Sequence, residues 1–369
     1  MINIFYDHQA FSLQNYGGVS RIFSELLKGM ENNDQFHAYL SLLFSNNTHL
    51  QEIHYPVAQF FPLLQFPKKQ GLLYKLNQLK SYYDINHKKF DIYHPTYYNP
   101  SLISLVNGRP VVATFHDMIH EKFASQFTEL ASDRNVIEQK KQLADISSHI
   151  IAVSENTKND IVNYYNIDPN KITVVHLGSS FIGKEISTEK KKTLKPYLLY
   201  VGNRTAYKNF IFFLKSISSL LIKNNILLIC AGGGEFSADE MNIIHSLHLN
   251  YFVKQKSITD EILADLYSNA LAFIFPSLYE GFGIPILEAF SCNCPCIVSN
   301  TSSLPEVAGN AACYINPSDS DSIMQAVDKV VHDSTYRNDL VLKGQARLKN
   351  FSWHKHVEQT IDIYKQIKR

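Results

Sequence analysis

Two glutamates, Glu280 and Glu288, stand eight residues apart in the stretch YEGFGIPILEAF, with a Gly-Phe-Gly turn and Pro285 between them. Proline fits the first turn of a helix, where its missing N–H costs little. Glycines at 281 and 283 let the chain bend sharply and expose backbone amides. The pattern therefore predicts a helix opening near Pro285, with Glu280 before it and Glu288 inside it. Eight residues of continuous helix span about 12 Å. A carboxylate accepts hydrogen bonds from paired hydroxyls, and a helix N-terminus favours phosphate. The arrangement suits the two ends of a nucleotide-sugar, with Glu288 on a ribose and Glu280 on the sugar hydroxyls. Two ordinary surface glutamates would leave the turn between them unexplained.

Other stretches carry chemistry of the same kind. VGNRTAYKN places Arg204 and Lys208 four residues apart just after an apolar run. An arginine fork with a lysine point charge suits a diphosphate. The alternative is a solvated pair at a helix start, although that end of the dipole disfavours cations. AGGGEF, at Gly232, is either a nucleotide-facing turn or a tight strand-to-helix connection, since it lacks G-x-G-x-x-G. TFHDMIH supplies His116 and Asp117, and the imidazole is either structural or a partner for a hydroxyl or a proton. NYGGVSR offers Gly17 and Gly18 before an amphipathic run, as an anion-binding amide cluster or a plain glycine cap. CNCPC crowds Cys292, Cys294 and Cys296 together, but C-x-C-x-C is a poor tetrahedral zinc spacing. It reads as small buried residues leading into a strand.

These residues need elements to hold them at strand ends. Short apolar runs at 2–7, 37–44, 91–95, 111–117, 149–154 and 172–178 alternate with helical patterns, and the alternation resumes at 197–202, 226–232, 251–255, 271–277, 295–299 and 312–316. Near-continuous apolar strands between helices predict parallel sheets covered on both faces. The expected architecture is α/β, two doubly wound domains facing across a cleft. The first spans 1–182, a polar linker spans 183–196, and the second spans 197–352. In such folds ligands bind beyond the carboxyl ends of the strands, where nearly all the residues above fall.

The block FPSLYEGFGIPILEAF resembles the E-x7-E signature of the family 4 retaining glycosyltransferases, which have the GT-B fold. FYDHQAFSLQNYGGVSRIF is similar to the N-terminal signature of their bacterial polysaccharide members, and VGNRTAYKN, LPEVAGNAACYINPSD and FSWHKHVEQTIDIYKQI match the pattern in order. The resemblance runs nearly end to end and is weakest between about 45 and 90. It implies that Gly17, Gly18, Arg204 and Lys208 approach the donor diphosphate, and that Glu288 binds ribose. Glu280, with the amides near Phe282, Gly283 and Ile284, would hold the transferred sugar. His116 would sit at the reacting centre, with Asp117 beside it, and Gly232 and the segment around Val253 would line the nucleotide pocket. The C-terminal helix, 353–369, would pack back on the first domain. Cations and helix amides would stabilise the leaving diphosphate in place of a metal. Asp319 to Asp321 match D-x-D but read as a helix cap. No cofactor is expected. No carboxylate nucleophile of the glycosidase kind is evident, so the resemblance implies a front-side route in which the leaving phosphate helps the acceptor lose its proton. Likeness to O-antigen and capsule enzymes implies mannose from GDP-mannose, with a UDP-hexose as the alternative, passed to a glycan or lipid-linked glycan.

Composition bounds the rest. A net charge of +1 gives no global signal for nucleic acid. The chain shows no signal-peptide pattern and no bilayer-length apolar run, so a cytoplasmic location is expected. Residues 55–90 hold six lysines and one aspartate among aromatics and leucines. This is either a surface resting on anionic lipid at the inner face of the plasma membrane or an amphipathic core helix with a solvated lysine face. A GT-B nucleotide-sugar epimerase, a dehydrogenase using the glycines at 232, and a non-catalytic nucleotide-sugar sensor are the competing functions.

Overall fold

Strands that are apolar at every residue need cover on both faces, and this requirement organises the whole chain. The computed structural model describes residues 1–368 except 32, 132–133, 180 and 182–194. The chain divides into two compact units, Met1–Leu177 with Trp353–Arg369, and Gly178–Ser352. Most of the polar stretch expected as a linker, 183–194, lies outside the described residues.

The first unit contains β1 (Ile2–Tyr6), β2 (Phe36–Leu40), β3 (Ile92–His94), β4 (Val112–Phe115), β5 (His149–Ala152) and β6 (Ile172–Val174). They form two parallel three-stranded sheets, β2-β1-β3 and β4-β5-β6, connected by a parallel bridge between Tyr93 and Val111. The helix Trp353–Ile367 belongs to this unit. Its Tyr364 hydroxyl lies 2.8 Å from the Tyr6 hydroxyl and 2.6 Å from His94 Nδ1. His94 Nε2 continues the chain to Thr114 Oγ1 at 2.9 Å. A buried polar chain thus ties the last helix to β1, β3 and β4. Gly29 permits the close packing, since a Cβ there would meet the Val357 methyls at 2.7 Å.

The helix Lys69–His87 reverses the usual amphipathic order. Its buried face carries Asn77, Ser81 and Asp84 beside Leu73 and Ile85, while Leu72, Leu79 and Tyr83 are exposed. Asn77 accepts from the Leu43 and Phe44 amides at 3.0 Å, and Asp84 accepts from Tyr39 and Ser41. The inner face is satisfied by hydrogen bonds, as buried polar groups require.

The second unit contains β7 (Tyr197–Val201), β8 (Leu227–Ala231), β9 (Val253–Lys256), β10 (Ala272–Phe275), β11 (Cys296–Ser299) and β12 (Ala312–Ile315), in one parallel sheet of order β12-β11-β10-β7-β8-β9. This is the doubly wound order, and it places the topological switch point between β7 and β10. Every residue of β10 and β11 is buried. The helix Phe210–Lys223 packs Phe213, Leu214, Ile217 and Leu221 into the core on one side. Cys292, Cys294 and Cys296 are buried thiols leading into β11.

The first unit buries histidines in the neutral state. Burial pushes His94 down to about 3, and His8, His116 and His356 down to about 4. An unfolded histidine titrates near about 6.5. The unfolded chain therefore gains protons that the folded unit refuses, and the stability these groups contribute is full above that value and lost as pH falls toward 4. Hydrogen exchange followed from pH 7 to pH 4 should show β1, β3 and β4 losing protection before β7 and β10. Equal loss in both sheets would contradict this.

Candidate active site

In the second unit the loops after β7 and β10 flank the switch point. Glu280 follows β10, and its carboxylate is 2.7 Å from Lys208 Nζ, the end of the loop after β7. Both side chains are mostly buried. Gly283 then adopts φ +121°, a conformation that favours glycine, and caps the helix Ile284–Ser291 with Pro285 in its first turn. Glu288 lies on that helix and accepts from the Tyr267 hydroxyl at 3.3 Å. The expected order of carboxylate, glycine turn, helix start and second carboxylate is present. Phe282 is buried against Phe351, so what its segment offers a ligand is backbone.

Arg204 takes a different part from the one its sequence position suggests. Its Nε donates to Glu240 at 2.7 Å, and its Nη2 donates to the carbonyls of Gly234 at 3.1 Å and Glu235 at 2.8 Å. The guanidinium lies 4.7 Å from the centre of the Phe236 ring. Gly232, Gly233 and Gly234 all have positive φ, and a Cβ on Gly233 would strike the Gly202 carbonyl at 2.5 Å. Arg204 therefore clasps the glycine loop. The two cations read as suited to a diphosphate, or else as a solvated pair, are each matched with a carboxylate, Arg204 with Glu240 and Lys208 with Glu280.

Val253 corrects an expectation. It was expected to line the nucleotide pocket, but it is buried in the core at the amino end of β9, paired in register with Leu228. The carboxyl end of that strand is Lys256, whose carbonyl accepts from the Gly232 amide at 3.0 Å. Ile258, just beyond it, is the side chain that reaches the Gly232 position. Asp319 caps the helix Ser320–His332 by accepting from the amides of Asp321 and Ser322. Among the described residues, no three His, Cys, Asp or Glu side chains gather as a metal site.

In the first unit, His116 and Asp117 follow β4. The His116 amide donates to the Tyr98 hydroxyl at 2.9 Å, and the ring lies among Phe23, Tyr97 and Tyr98. Both ring nitrogens are shielded from solvent and have no partner among the described residues. Burial and the nearby Lys140 hold the ring neutral against the pull of Asp117. Burial alone would raise the Asp117 carboxyl, but Lys140 and the Ile119 amide hold it below its usual range. Gly17 is the N-cap of the helix Gly18–Met30. A Cβ there would collide with the Gln14 carboxamide, which itself accepts from the Ser20 amide at 3.1 Å. The glycine makes room for a side-chain cap.

Comparison with known proteins decides the family. A model described as Glycosyltransferase Family 4 matches residues 16–179, and one described as Glycosyl transferases group 1 matches 182–347. The chain belongs to these glycosyltransferases. It is 28% identical to the O-antigen chain mannosyltransferase B of Escherichia coli over 82% of each chain. Among solved structures, sucrose-phosphate synthase from Thermosynechococcus elongatus matches with a TM-score of 0.78 at 16% identity, covering 100% of this chain and 99% of that one. HepE from Anabaena in complex with UDP-glucose matches at 0.75 and 16%, covering 99% of this chain and 100% of that one. The fold of this glycosyltransferase is GT-B, with two Rossmann-like domains.

Three hydroxyl side chains of the glycosyltransferase escaped sequence reasoning. Thr301, Ser302 and Ser303 follow β11 and cinch the loop that carries Glu280. Thr301 Oγ1 donates to the Leu278 carbonyl at 3.1 Å, Ser302 Oγ accepts from the Glu280 amide at 3.0 Å, and Ser303 Oγ lies 2.8 Å from the carbonyls of both Glu280 and Phe282. Only the run of three hydroxyls hinted at this, and nothing in it names the partners. Ser303→Ala strips the donor from two carbonyls, one of them buried, at a cost of about 1–3 kcal/mol. The variant should lose turnover about tenfold or more as Glu280 loosens, read by single-turnover kinetics. Unchanged turnover in a destabilised variant would show the loop holds without it.

Proposed function

We propose that this glycosyltransferase moves mannose from GDP-mannose, with retention at the anomeric carbon and without a metal, onto a lipid-linked cell-surface polysaccharide. The observation that carries the reading is the Lys208–Glu280 pair at the switch point, followed by the glycine-capped helix that bears Glu288. The similarity to an O-antigen mannosyltransferase over most of both chains supports mannose. The likeness in fold to a UDP-glucose complex keeps a UDP-hexose as the alternative donor.

The residues divide the work. The bond from the anomeric carbon to the diphosphate oxygen breaks, and the bond to the acceptor oxygen forms on the same face. The acceptor proton passes to the departing phosphate oxygen. Lys208 and the amides at the start of the helix Ile284–Ser291 carry the charge that develops there. Glu280, released from Lys208 as the diphosphate takes the ammonium, accepts from the sugar hydroxyls. Glu288 accepts from the ribose hydroxyls. His116, neutral, serves as a hydrogen-bond partner for the sugar.

A lipid-linked acceptor agrees with the surface of residues 55–90. Phe61, Leu63, Leu64 and Phe66 are exposed, Leu63 to 94%. Lys69 Nζ donates to the carbonyls of Phe61 at 2.8 Å and Leu64 at 2.7 Å, which fixes the apolar turn facing water. Lys68, Lys75, Lys88 and Lys89 are exposed on the same segment. An apolar tip with cations around it suits an anionic bilayer. No described helix is long and apolar enough to cross a membrane.

Thermal shift with GDP-mannose, GDP, UDP-glucose and UDP, in EDTA throughout, should show stabilisation by the GDP pair, because a ligand of the folded state raises its stability. Glu288→Ala should abolish most of that shift, whereas Glu280→Ala should keep binding and lose transfer. Stabilisation by the uridine pair alone replaces the donor, and full activity of both variants refutes the site. Vesicles with anionic phospholipid should retain the wild type and release Leu63→Asp with Leu64→Asp, and equal retention of both would remove the membrane contact.

A further inference from the structure

A fully buried lysine sits beneath the His116–Asp117 turn, and neither the motifs nor the transfer chemistry above employs it. Lys140 lies on the helix Arg134–Ile146 with no solvent exposure of its side chain. A lysine is almost never fully buried unless it is paired, and taking its charge out of water is costly. Its Nζ is 3.0 Å from the Asp117 main-chain carbonyl, 3.3 Å from Asp117 Oδ1 and 3.2 Å from Glu121 Oε2. It also lies 5.0 Å from the centre of the Tyr98 ring. Glu121 is held in turn by the Tyr165 hydroxyl. Tyr98, whose ring faces the ammonium, takes the His116 amide on its hydroxyl. These contacts of the Lys140 ammonium therefore lead to the dipeptide after β4 or to the carboxylate that braces it.

We propose that Lys140 is a positioning residue for glycosyl transfer, fixing the His116–Asp117 turn by gripping the carbonyl and carboxylate of Asp117 from beneath. The inference rests on the reading that places His116 at the transferred sugar. Two consequences separate it from simple packing. The ammonium ties down one Asp117 oxygen and leaves the side chain one-third exposed, so the carboxylate is oriented without being sealed. The positive charge also opposes protonation of His116. The groups that face His116 are Asp117 on its own turn, Lys140 from the helix behind it, His94 on β3, His356 on the C-terminal helix, and the phenol rings of Tyr97 and Tyr98; Glu121 meets Lys140, and His120 acts on Asp117. Of these, the Asp117 carboxylate pulls the imidazole toward the charged form, and Lys140 and His356 push against it.

The test uses the full chain with Lys140→Met and Lys140→Arg, read by NMR titration of the His116 ring and by kcat and donor KM across pH. Lys140→Met removes a charge that opposes protonation and leaves Asp117 unmatched, so His116 should titrate higher by about one unit or more. Its kcat should fall about 10- to 100-fold with little change in donor KM, and the acid limb of the profile should move to higher pH. Lys140→Arg keeps the charge but not the compact geometry, so the titration should stay low while kcat falls less. An unmoved His116 titration in a folded Lys140→Met variant overturns the proposal. A moved titration with unchanged kcat also overturns it, and shows that the failure lies in placing His116 at the sugar. Where Lys140→Met does not fold, full kcat in Lys140→Arg overturns it and reduced kcat with a low titration supports it.

Discussion

The ion pair between Lys208 and Glu280 sits where the sheet of the second unit reverses its winding. Pairing of β10 with β7 brings the two loops together, and the 2.7 Å contact joins them. Both side chains are largely withdrawn from water, so each charge needs a partner. A diphosphate supplies a stronger partner for the ammonium than one carboxylate does. Under the proposed function, exchange of partners would match Lys208 with the diphosphate and free Glu280 to accept from hydroxyls. The pair joins the two loops, and in the proposal it is the contact with which the ligand competes.

Around that pair the protein spends backbone and short side chains. The glycine loop after β8 is folded onto Arg204, whose donors meet carbonyls that the positive-φ turns present. The Glu280 loop is stitched by Thr301, Ser302 and Ser303. The first unit uses longer side chains for the same end. Asp7, wholly buried after β1, accepts from Tyr93 at 2.7 Å and from the Thr96 amide at 3.0 Å. Lys140 does the equivalent after β4 with the opposite charge. Strand ends carry backbone groups that no neighbouring strand satisfies, and in both units these side chains meet that need while fixing the loops.

Much of this was legible in the chain. Period and apolar runs located all twelve strands, most clearly those such as β10 and β11 that are buried at every residue and so show no alternation; β2 and β9, with exposed residues, were found from the apolar residues they contain. The E-x7-E block located the glycine turn and both carboxylates, since a helix opening on Gly-x-Pro has few other solutions. The parts that sequence missed are contacts between residues far apart in the chain. Glu240 lies 36 residues from Arg204, and Ser303 lies 23 from Glu280. Val253 was misplaced because the apolar run does not show which end of its strand meets the loops: the strand is Val253–Lys256, so Val253 is its buried amino end and Lys256 its carboxyl end. The helix Lys69–His87 defeats pattern reading, because its buried face carries Asn77, Ser81 and Asp84 while Leu72 and Leu79 face water.

The most direct measurement is a crystal structure with GDP-mannose bound. The account predicts the diphosphate against Lys208 and the first amides of the helix Ile284–Ser291, the ribose hydroxyls on Glu288, and Glu280 parted from Lys208 and turned to the mannose. A nucleotide bound with the Lys208–Glu280 contact intact, or with Glu288 still on Tyr267 and no ribose near it, would contradict it.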